Sequence, residues 1–116
     1  MSEQIIIYHN GRCSKSRGAL EILQEQGIEP EIRYYLLEPL SAKELKALLK
    51  KLGIKAEALV RKSEDLYKEA YADKKLTNAQ WIKVLAENPA LIERPVVEKG
   101  DKAIIARPPE KVLEIL

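Results

Sequence analysis

The sequence predicts an α/β fold in which helices flank a four-stranded mixed sheet and a helical block is inserted into the chain. Three observations lead to this prediction. An apolar run at residues 5–7 is followed by a turn, a helical pattern and a second extended run, which is the order of a βαβ unit. Two short apolar runs flank Lys99-Gly100-Asp101, as in a β-hairpin. Between these parts, residues 41–88 show helical periodicity alone.

The βαβ unit begins with three β-branched isoleucines, which suit a packed strand, and Asn10-Gly11 marks the turn after it. A helix is predicted over residues 14–26, and Gly27 ends it. The second strand is predicted over residues 31–37, parallel to the first and joined to it by a right-handed crossover. Its two faces are predicted to carry Ile32, Tyr34 and Leu36 on one side and Tyr35 and Leu37 on the other.

The inserted block contains two sequence signals for helix starts. Ser41-Ala42-Lys43-Glu44 and Thr77-Asn78-Ala79-Gln80 are capping boxes, and Asn88-Pro89 ends the helix that the second box begins. Residues 56–71 are less regular and are predicted to form two short helical pieces around Arg61-Lys62-Ser63. The apolar side chains at helical spacing behind the two boxes are predicted to be core: Leu45, Leu48, Leu49, Leu52, Trp81, Val84 and Leu85.

The last part of the chain is predicted to form a hairpin and a helix. Residues 95–98 and 102–106 are the two strands, and Pro108-Pro109 begins the helix, with Val112, Leu113 and Leu116 facing inward. Without the inserted block, this order of elements is a thioredoxin-like arrangement. We expect residues 1–116 to form one domain, because the block is too closely joined to the rest to be a second one.

Composition excludes several classes of function. A net charge of +2 is too small to indicate binding to nucleic acid or to a membrane surface. One cysteine cannot form an internal disulfide, and one cysteine with one histidine is too few ligands for a zinc site. No apolar run approaches the roughly 20 residues of a membrane helix, and the N-terminus does not resemble a signal peptide. We therefore expect a cytoplasmic protein without a metal site.

The cysteine lies where the first strand has ended and the first helix begins. Backbone N–H groups at a helix start lack intrahelical partners, and the helix dipole adds partial positive charge there. Arg12, Lys15 and Arg17 add three cations close to Cys13. A cysteine that serves only as a small buried apolar residue would have apolar neighbours, which these are not. The segment is thus typical of a site for a thiolate or a bound oxyanion.

The segment His9-Asn10-Gly11-Arg12-Cys13-Ser14-Lys15-Ser16-Arg17 resembles the active-site loop of the glutaredoxin-coupled arsenate reductase family. Three further segments resemble the same family in the same order: Leu59-Val60-Arg61-Lys62, Arg94-Pro95-Val96-Val97 and Ala106-Arg107-Pro108. The resemblance therefore spans nearly the whole chain. The loop departs from the family at Gly11, where proline is usual, and glycine leaves the loop less rigid.

The resemblance implies a role for each of these residues. Cys13 is the catalytic nucleophile. Three arginines hold the oxyanion, a task that suits their permanent charge and planar fork: Arg61, Arg94 and Arg107. The rest of the loop shapes the site or tunes the thiol: His9, Asn10, Arg12, Ser14, Lys15, Ser16 and Arg17. His9 is either a nearby partial cation or an ordinary loop histidine. Pro95 matches the cis-proline that faces the active cysteine in thioredoxin-like folds.

The resemblance also implies a reaction, in which the Cys13 thiolate attacks arsenate and arsenite is released. Because the chain has no second cysteine, the electrons have to come from outside. The family implies glutathione as co-substrate and glutaredoxin as partner, with no bound cofactor. The thioredoxin-coupled type, with its internal resolving cysteines, is excluded by the single cysteine.

Three alternatives remain open. Spx-type transcription regulators share the fold and bind RNA polymerase, but they typically carry Cys-x-x-Cys, and Ser16 occupies the second cysteine position here. A monothiol glutaredoxin-like protein would fit Cys-x-x-Ser, although the glycine and phenylalanine usual in that motif are missing and the three arginines would be unexplained. In the third alternative the site is retained and the substrate is a different oxyanion.

Overall fold

The computed structural model describes residues 4–116, which form two compact units. The first unit comprises the described residues up to 38 together with residues 94–116, and the second comprises Pro39–Glu93. The predicted inserted block, residues 41–88, falls within the second unit. The expectation of a single domain stays a prediction.

The first unit contains a four-stranded sheet with the order β2-β1-β3-β4. Its strands are β1 (Ile5–Tyr8), β2 (Glu31–Arg33), β3 (Val96–Lys99) and β4 (Lys102–Ile105). β1 is parallel to β2 and antiparallel to β3, which in turn is antiparallel to β4. The predicted mixed sheet with its hairpin is therefore confirmed.

Helix α1 (Ser14–Glu25) and a 3-10 helix (Pro109–Ile115) pack together with the sheet. Their shared apolar core consists of Ile5, Ile7, Ala19, Leu23, Val97, Ala106, Val112 and Ile115. Burying each of the larger side chains contributes about 1.5–3 kcal/mol to stability relative to leaving it exposed. The turn that precedes α1 is thus anchored at both ends, by β1 and by the first turns of a packed helix.

The predicted second strand is wrong beyond its third residue. β2 ends at Arg33, and the chain then turns, with the Tyr34 carbonyl accepting hydrogen bonds from the backbone N–H groups of Leu37 (3.0 Å) and Glu38 (2.9 Å). Arg33 Nε donates to the Glu38 carbonyl at 3.0 Å and closes this turn. Strand alternation is lost as a result: Tyr35 is 1% exposed, whereas Leu37 is 82% exposed.

The predicted orientation of the C-terminal helix is confirmed for Val112 and wrong for Leu113 and Leu116. Pro109 does begin a helix, but it is a 3-10 helix whose buried residues are Val112 and Ile115. Leu113 and Leu116, which were expected to face inward, are exposed. A 3-10 helix has three residues per turn, so side chains three apart share one face. The prediction assumed the 3.6-residue period of an α-helix.

The second unit contains the helices α2 (Ala42–Leu52), α3 (Asp65–Ala70) and α4 (Asn78–Glu87), with 3-10 helices at Ala56–Leu59 and Pro89–Leu91. Both capping boxes are confirmed. The side chains of Ser41 and Thr77 accept from the backbone N–H groups of Glu44 and Gln80, and the side chains of Glu44 and Gln80 accept from the backbone N–H groups of Ser41 and Thr77. Most of the predicted core is confirmed as well, with these side chains buried: Leu45, Leu48, Leu49, Trp81 and Leu85.

The predicted two-piece helix around residues 61–63 is confirmed, since residues 60–64 separate the Ala56–Leu59 helix from α3. An antiparallel bridge between Val60 and Ile92 holds this break in place. No helix among residues 4–116 has the length and apolar character that crossing a bilayer requires.

Candidate active site

The loop between β1 and α1 is fixed by hydrogen bonds within itself. His9 N–H donates to the Arg33 carbonyl at 2.8 Å, so the pairing of β1 with β2 extends to the start of the loop. The Asn10 carbonyl accepts from Cys13 N–H at 3.0 Å, and Asn10 Oδ1 accepts from Arg12 N–H at 3.0 Å. Neither Gly11 nor Arg12 has a positive φ, so the turn fits type I.

This turn explains why glycine is tolerated where the family has proline. Gly11 occupies the second position of a type I turn, which is where proline is favoured. A Cβ at Gly11 would meet only His9 Nε2, at 3.9 Å. Arg17 Nη1 donates to the Gly11 carbonyl at 2.9 Å and ties the loop to α1. The loop therefore keeps its shape through hydrogen bonds rather than through a proline ring.

Ser16 links the first turn of α1 to the same loop. Its side chain is fully buried, and its Oγ accepts from Asn10 N–H at 3.0 Å and lies 2.7 Å from His9 Nδ1. When the Ser16 hydroxyl gives its own proton to Nδ1, the His9 proton sits on Nε2. Both residues thus hold the loop in place, which makes Ser16 a structural residue of the site.

His9 is 6% exposed and packs edge-on against the Tyr34 ring, with ring centroids 5.8 Å apart. Burial, followed by the charge of Arg17, lowers the pKa of His9. The neutral form is therefore favoured at neutral pH, which is opposite to the partial cation considered from the sequence. Its place in the structure fits the alternative of an ordinary loop histidine.

Cys13 occupies the N-cap position of α1, with φ −94° and ψ 121°, and its carbonyl accepts from Arg17 N–H at 3.0 Å. The thiol is partly exposed. Burial by itself raises the pKa of Cys13, but the backbone N–H of Ser16, the Arg94 guanidinium and the backbone N–H of Lys15 together lower it below its usual value. This is the environment in which a cysteine becomes a reactive thiolate.

Arg94 lies beside the sulfur and is separated from β3 by Pro95, and the peptide bond from Arg94 to Pro95 is cis. Burial alone lowers the pKa of Arg94, but Tyr35 and the Cys13 thiolate raise it above its usual value. Its Nε is buried and has no hydrogen-bond partner among residues 4–116. The structure thus holds a permanent cation beside the thiol, with one donor unused.

Tyr35 is a site residue that the sequence did not identify. Its side chain is almost fully buried, and burial raises its pKa although the nearby Arg94 guanidinium lowers it. The Cys13 thiolate and the Asn10 side chain also lie close enough to influence this pKa. The phenol therefore stays protonated. The structure, not the sequence, places Tyr35 past the end of β2, at the edge of the sheet where the carboxyl ends of neighbouring parallel strands meet.

Arg107 and Arg61 lie in different units. Arg107 follows β4, and its Nη1 donates to the Arg94 carbonyl at 2.9 Å, so the structure brings these two predicted arginines together. The next peptide bond, from Arg107 to Pro108, is also cis. Arg61 belongs to the second unit, where its backbone N–H donates to the Leu91 carbonyl at 2.6 Å and its guanidinium lies 3.6 Å from Glu93. Its role toward an oxyanion stays a prediction.

The remaining loop residues differ in how they contribute to the site, by backbone N–H groups or by a side chain. The side chains of Arg12, Ser14, Lys15 and Arg17 are exposed. Lys15 acts on the thiol through its N–H group, and Arg17 acts on the Gly11 carbonyl. Residues 4–116 contain no cluster of histidine, cysteine and carboxylate side chains that could hold a metal ion. What the arrangement offers is a thiol of lowered pKa with a fixed cation and a neutral hydroxyl beside it.

Comparison with known proteins identifies the family to which the sequence is similar. The model of the ArsC family matches residues 8–115. The chain is 49% identical to an arsenate reductase of Haemophilus influenzae, over 97% of this chain and 98% of that protein. It is 51% identical to the uncharacterized protein YfgD of Escherichia coli K12, over 100% of this chain and 99% of that protein.

A solved structure of an arsenate reductase shows that the similarity extends to the fold. The arsenate reductase from Vibrio cholerae superposes with a TM-score of 0.94 and 44% identity, covering 100% of both chains. The thioredoxin-like fold predicted from the order of elements is therefore confirmed. With the family model, the full-length relatives and the shared fold in agreement, this chain belongs to the ArsC family.

Proposed function

We propose that this protein reduces arsenate to arsenite through the Cys13 thiolate, with glutathione as electron donor and glutaredoxin as the partner that resolves the mixed disulfide. The observation that carries the proposal is the thiol at the start of α1 beside the Arg94 guanidinium, with a lowered pKa. Relatives named arsenate reductase, matched over 97% of this chain, support the choice of substrate.

In the first step, the Cys13 thiolate attacks the arsenic atom of arsenate. An arsenic–sulfur bond forms, one arsenic–oxygen bond breaks, and the oxygen leaves as water after taking up two protons. Arg94 balances the negative charge that gathers on the remaining oxygens. A preorganised cation in a partly dry site is worth more here than it would be in water.

In the second step, a glutathione thiolate attacks the Cys13 sulfur. The electron pair of the arsenic–sulfur bond passes to arsenic, which is reduced from As(V) to As(III), and a mixed disulfide between Cys13 and glutathione forms. A second thiol then attacks the glutathione sulfur and releases the Cys13 thiolate. One arsenate and two thiols thus give one arsenite, one disulfide and one water. External thiols are required because the sequence contains one cysteine only.

The burial of Ser16 supports an enzyme over a redox switch of the Cys-x-x-Cys type. The hydroxyl at the second cysteine position is fully buried and is engaged with Asn10 and His9. It therefore serves the loop structure and offers no second redox group. The RNA polymerase-binding regulator remains the alternative that the assay below has to exclude.

A coupled assay tests the proposal. Arsenate-dependent NADPH oxidation is followed with glutathione, glutathione reductase and glutaredoxin. We expect turnover by the parent, none by Cys13→Ser, and parental turnover by Lys111→Ala, which changes an exposed lysine of the C-terminal helix. No arsenate-dependent oxidation by the parent would refute the substrate. Turnover with thioredoxin but not with glutathione and glutaredoxin would refute the electron donor.

A further inference from the structure

Two buried donors beside the thiol lie close to each other, one of them also close to the Asn10 side chain, yet neither has an acceptor in hydrogen-bonding geometry among residues 4–116. The Tyr35 hydroxyl and Arg94 Nε are both shielded from solvent, and neither makes a hydrogen bond of ordinary geometry within residues 4–116. Buried polar groups in folded proteins nearly always have a partner, and an unmet one is destabilising. Two unmet donors that converge next to a nucleophile indicate a position for a bound acceptor, such as the oxygens of an anion.

Tyr35 differs from Arg94 in being neutral. Burial keeps its phenol protonated, so the hydroxyl offers a proton to an acceptor and does not act as a base. The ring is 1% exposed and is held by the turn at residues 34–38, in which Arg33 Nε and two backbone N–H groups make hydrogen bonds. The hydroxyl is therefore preorganised rather than free to follow its ligand.

We propose that Tyr35 is a substrate-binding residue. Its hydroxyl donates a hydrogen bond to one oxygen of the tetrahedral oxyanion, and Arg94 binds another oxygen of the same anion. This inference rests on the proposed function and adds a neutral donor to its charged one. A tetrahedral oxyanion presents several acceptor oxygens, so it can satisfy both unmet donors at once. The bond strengthens as Cys13 attacks, because the charge on these oxygens grows beside a buried donor that is already in place.

Tyr35→Phe tests the proposal, since it removes one oxygen atom and keeps the ring. The rate of Cys13 alkylation by iodoacetamide is measured against the concentration of arsenate, and separately of sulfate, without any reductant. We expect the half-protecting concentration of both anions to rise roughly ten- to a hundredfold, the effect of losing a hydrogen bond to a charged group. Tyr67→Phe is the matched control, because that ring stacks on Trp81 in the second unit. In this control, arsenate and sulfate should protect Cys13 at the same concentrations as in the parent.

Two further measurements separate anion binding from other roles. The pH profile of alkylation without anion should be unchanged in Tyr35→Phe, and a shifted profile would mean that the hydroxyl acts on the thiol instead. The urea midpoint should be unchanged or slightly higher, because the substitution removes an unpartnered buried hydroxyl. A lower midpoint would assign Tyr35 a structural role and overturn the proposal.

The design distinguishes failure of this inference from failure of the proposed function. Equal protection of the parent and Tyr35→Phe by arsenate and sulfate overturns the inference even if the parent reduces arsenate. Protection that depends on Tyr35, in a protein that does not reduce arsenate, supports the inference and rejects the substrate. In an active parent, we also expect the kcat/KM of Tyr35→Phe for arsenate to fall roughly ten- to a hundredfold.

Discussion

Replacement of Arg94 by alanine is the perturbation that separates the two tasks assigned to this residue. The guanidinium lowers the pKa of the Cys13 thiol, and the proposed function gives it the second task of holding the oxyanion. Removing one preorganised donor from such a site typically costs about 2.7–4 kcal/mol of transition-state stabilisation, or roughly a hundred- to a thousandfold in rate. We therefore expect Arg94→Ala to lose that much arsenate reduction, with a further loss near neutral pH from a smaller thiolate fraction.

The effect on the thiol has a definite direction. Without Arg94, the backbone N–H groups of Ser16 and Lys15 still lower the pKa of Cys13, while burial still raises it. The pKa should therefore rise relative to the parent. Arg94→Lys keeps a charge but loses the planar fork, so it should restore part of the thiol pKa and little of the arsenate reduction.

The assay combines three measurements on the same samples. The thiolate absorbance near 240 nm is titrated, steady-state arsenate reduction is measured, and urea unfolding checks that each variant folds. Lys111→Ala provides the control, as an exposed lysine of the C-terminal helix. If Arg94→Ala has the thiol pKa and the arsenate reduction rate of the parent, Arg94 performs neither task and the site has been assigned wrongly.

Two other predictions concern stability. Because the pKa of Cys13 is lowered in the folded protein, the thiolate contributes stability that is present above the pKa of the unfolded thiol and is lost as the pH falls through the folded value. The difference in urea midpoint between the parent and Cys13→Ser should therefore grow with pH across this window, and a flat difference would contradict the lowered pKa. Ser16→Ala should cost about 1–3 kcal/mol of unfolding free energy, because buried groups of His9 and Asn10 lose their partner. The exposed Ser14→Ala should change the unfolding free energy by no more than about 0.5 kcal/mol, and equal losses in the two variants would show that the buried network contributes nothing.

What the sequence revealed was mostly local. The capping box of Ser41 and Glu44 needs four consecutive residues, and the structure shows both of its hydrogen bonds. The position of Cys13 at a helix start likewise followed from neighbouring residues, a turn signal before it and a helical pattern after it. Signals of this kind survive because tertiary contacts rarely override a satisfied helix terminus.

The missed features depend on contacts between distant residues. Nothing local to Tyr35 shows that β2 stops at Arg33 and turns the ring inward, since the alternating pattern continues to Leu37. The C-terminal helix packs on α1 and β4, and the apolar pattern of residues 112–116 does not show which of its faces these elements cover. The hydrogen bond from Arg107 to the Arg94 carbonyl joins residues 13 positions apart across a hairpin.

The first unit is made from the two ends of the chain, with Pro39–Glu93 between them. Cys13 lies in the first segment, whereas Arg94, which activates it, lies in the second. During synthesis the thiol is thus made long before its activating cation, and closing a loop of this length has an entropic cost before any contact forms. A nascent or partly unfolded chain therefore exposes a cysteine that lacks the activating contact with Arg94. The reactivity of Cys13 should therefore report on completed folding of the first unit, because the thiol gains its activating cation only when the two segments meet.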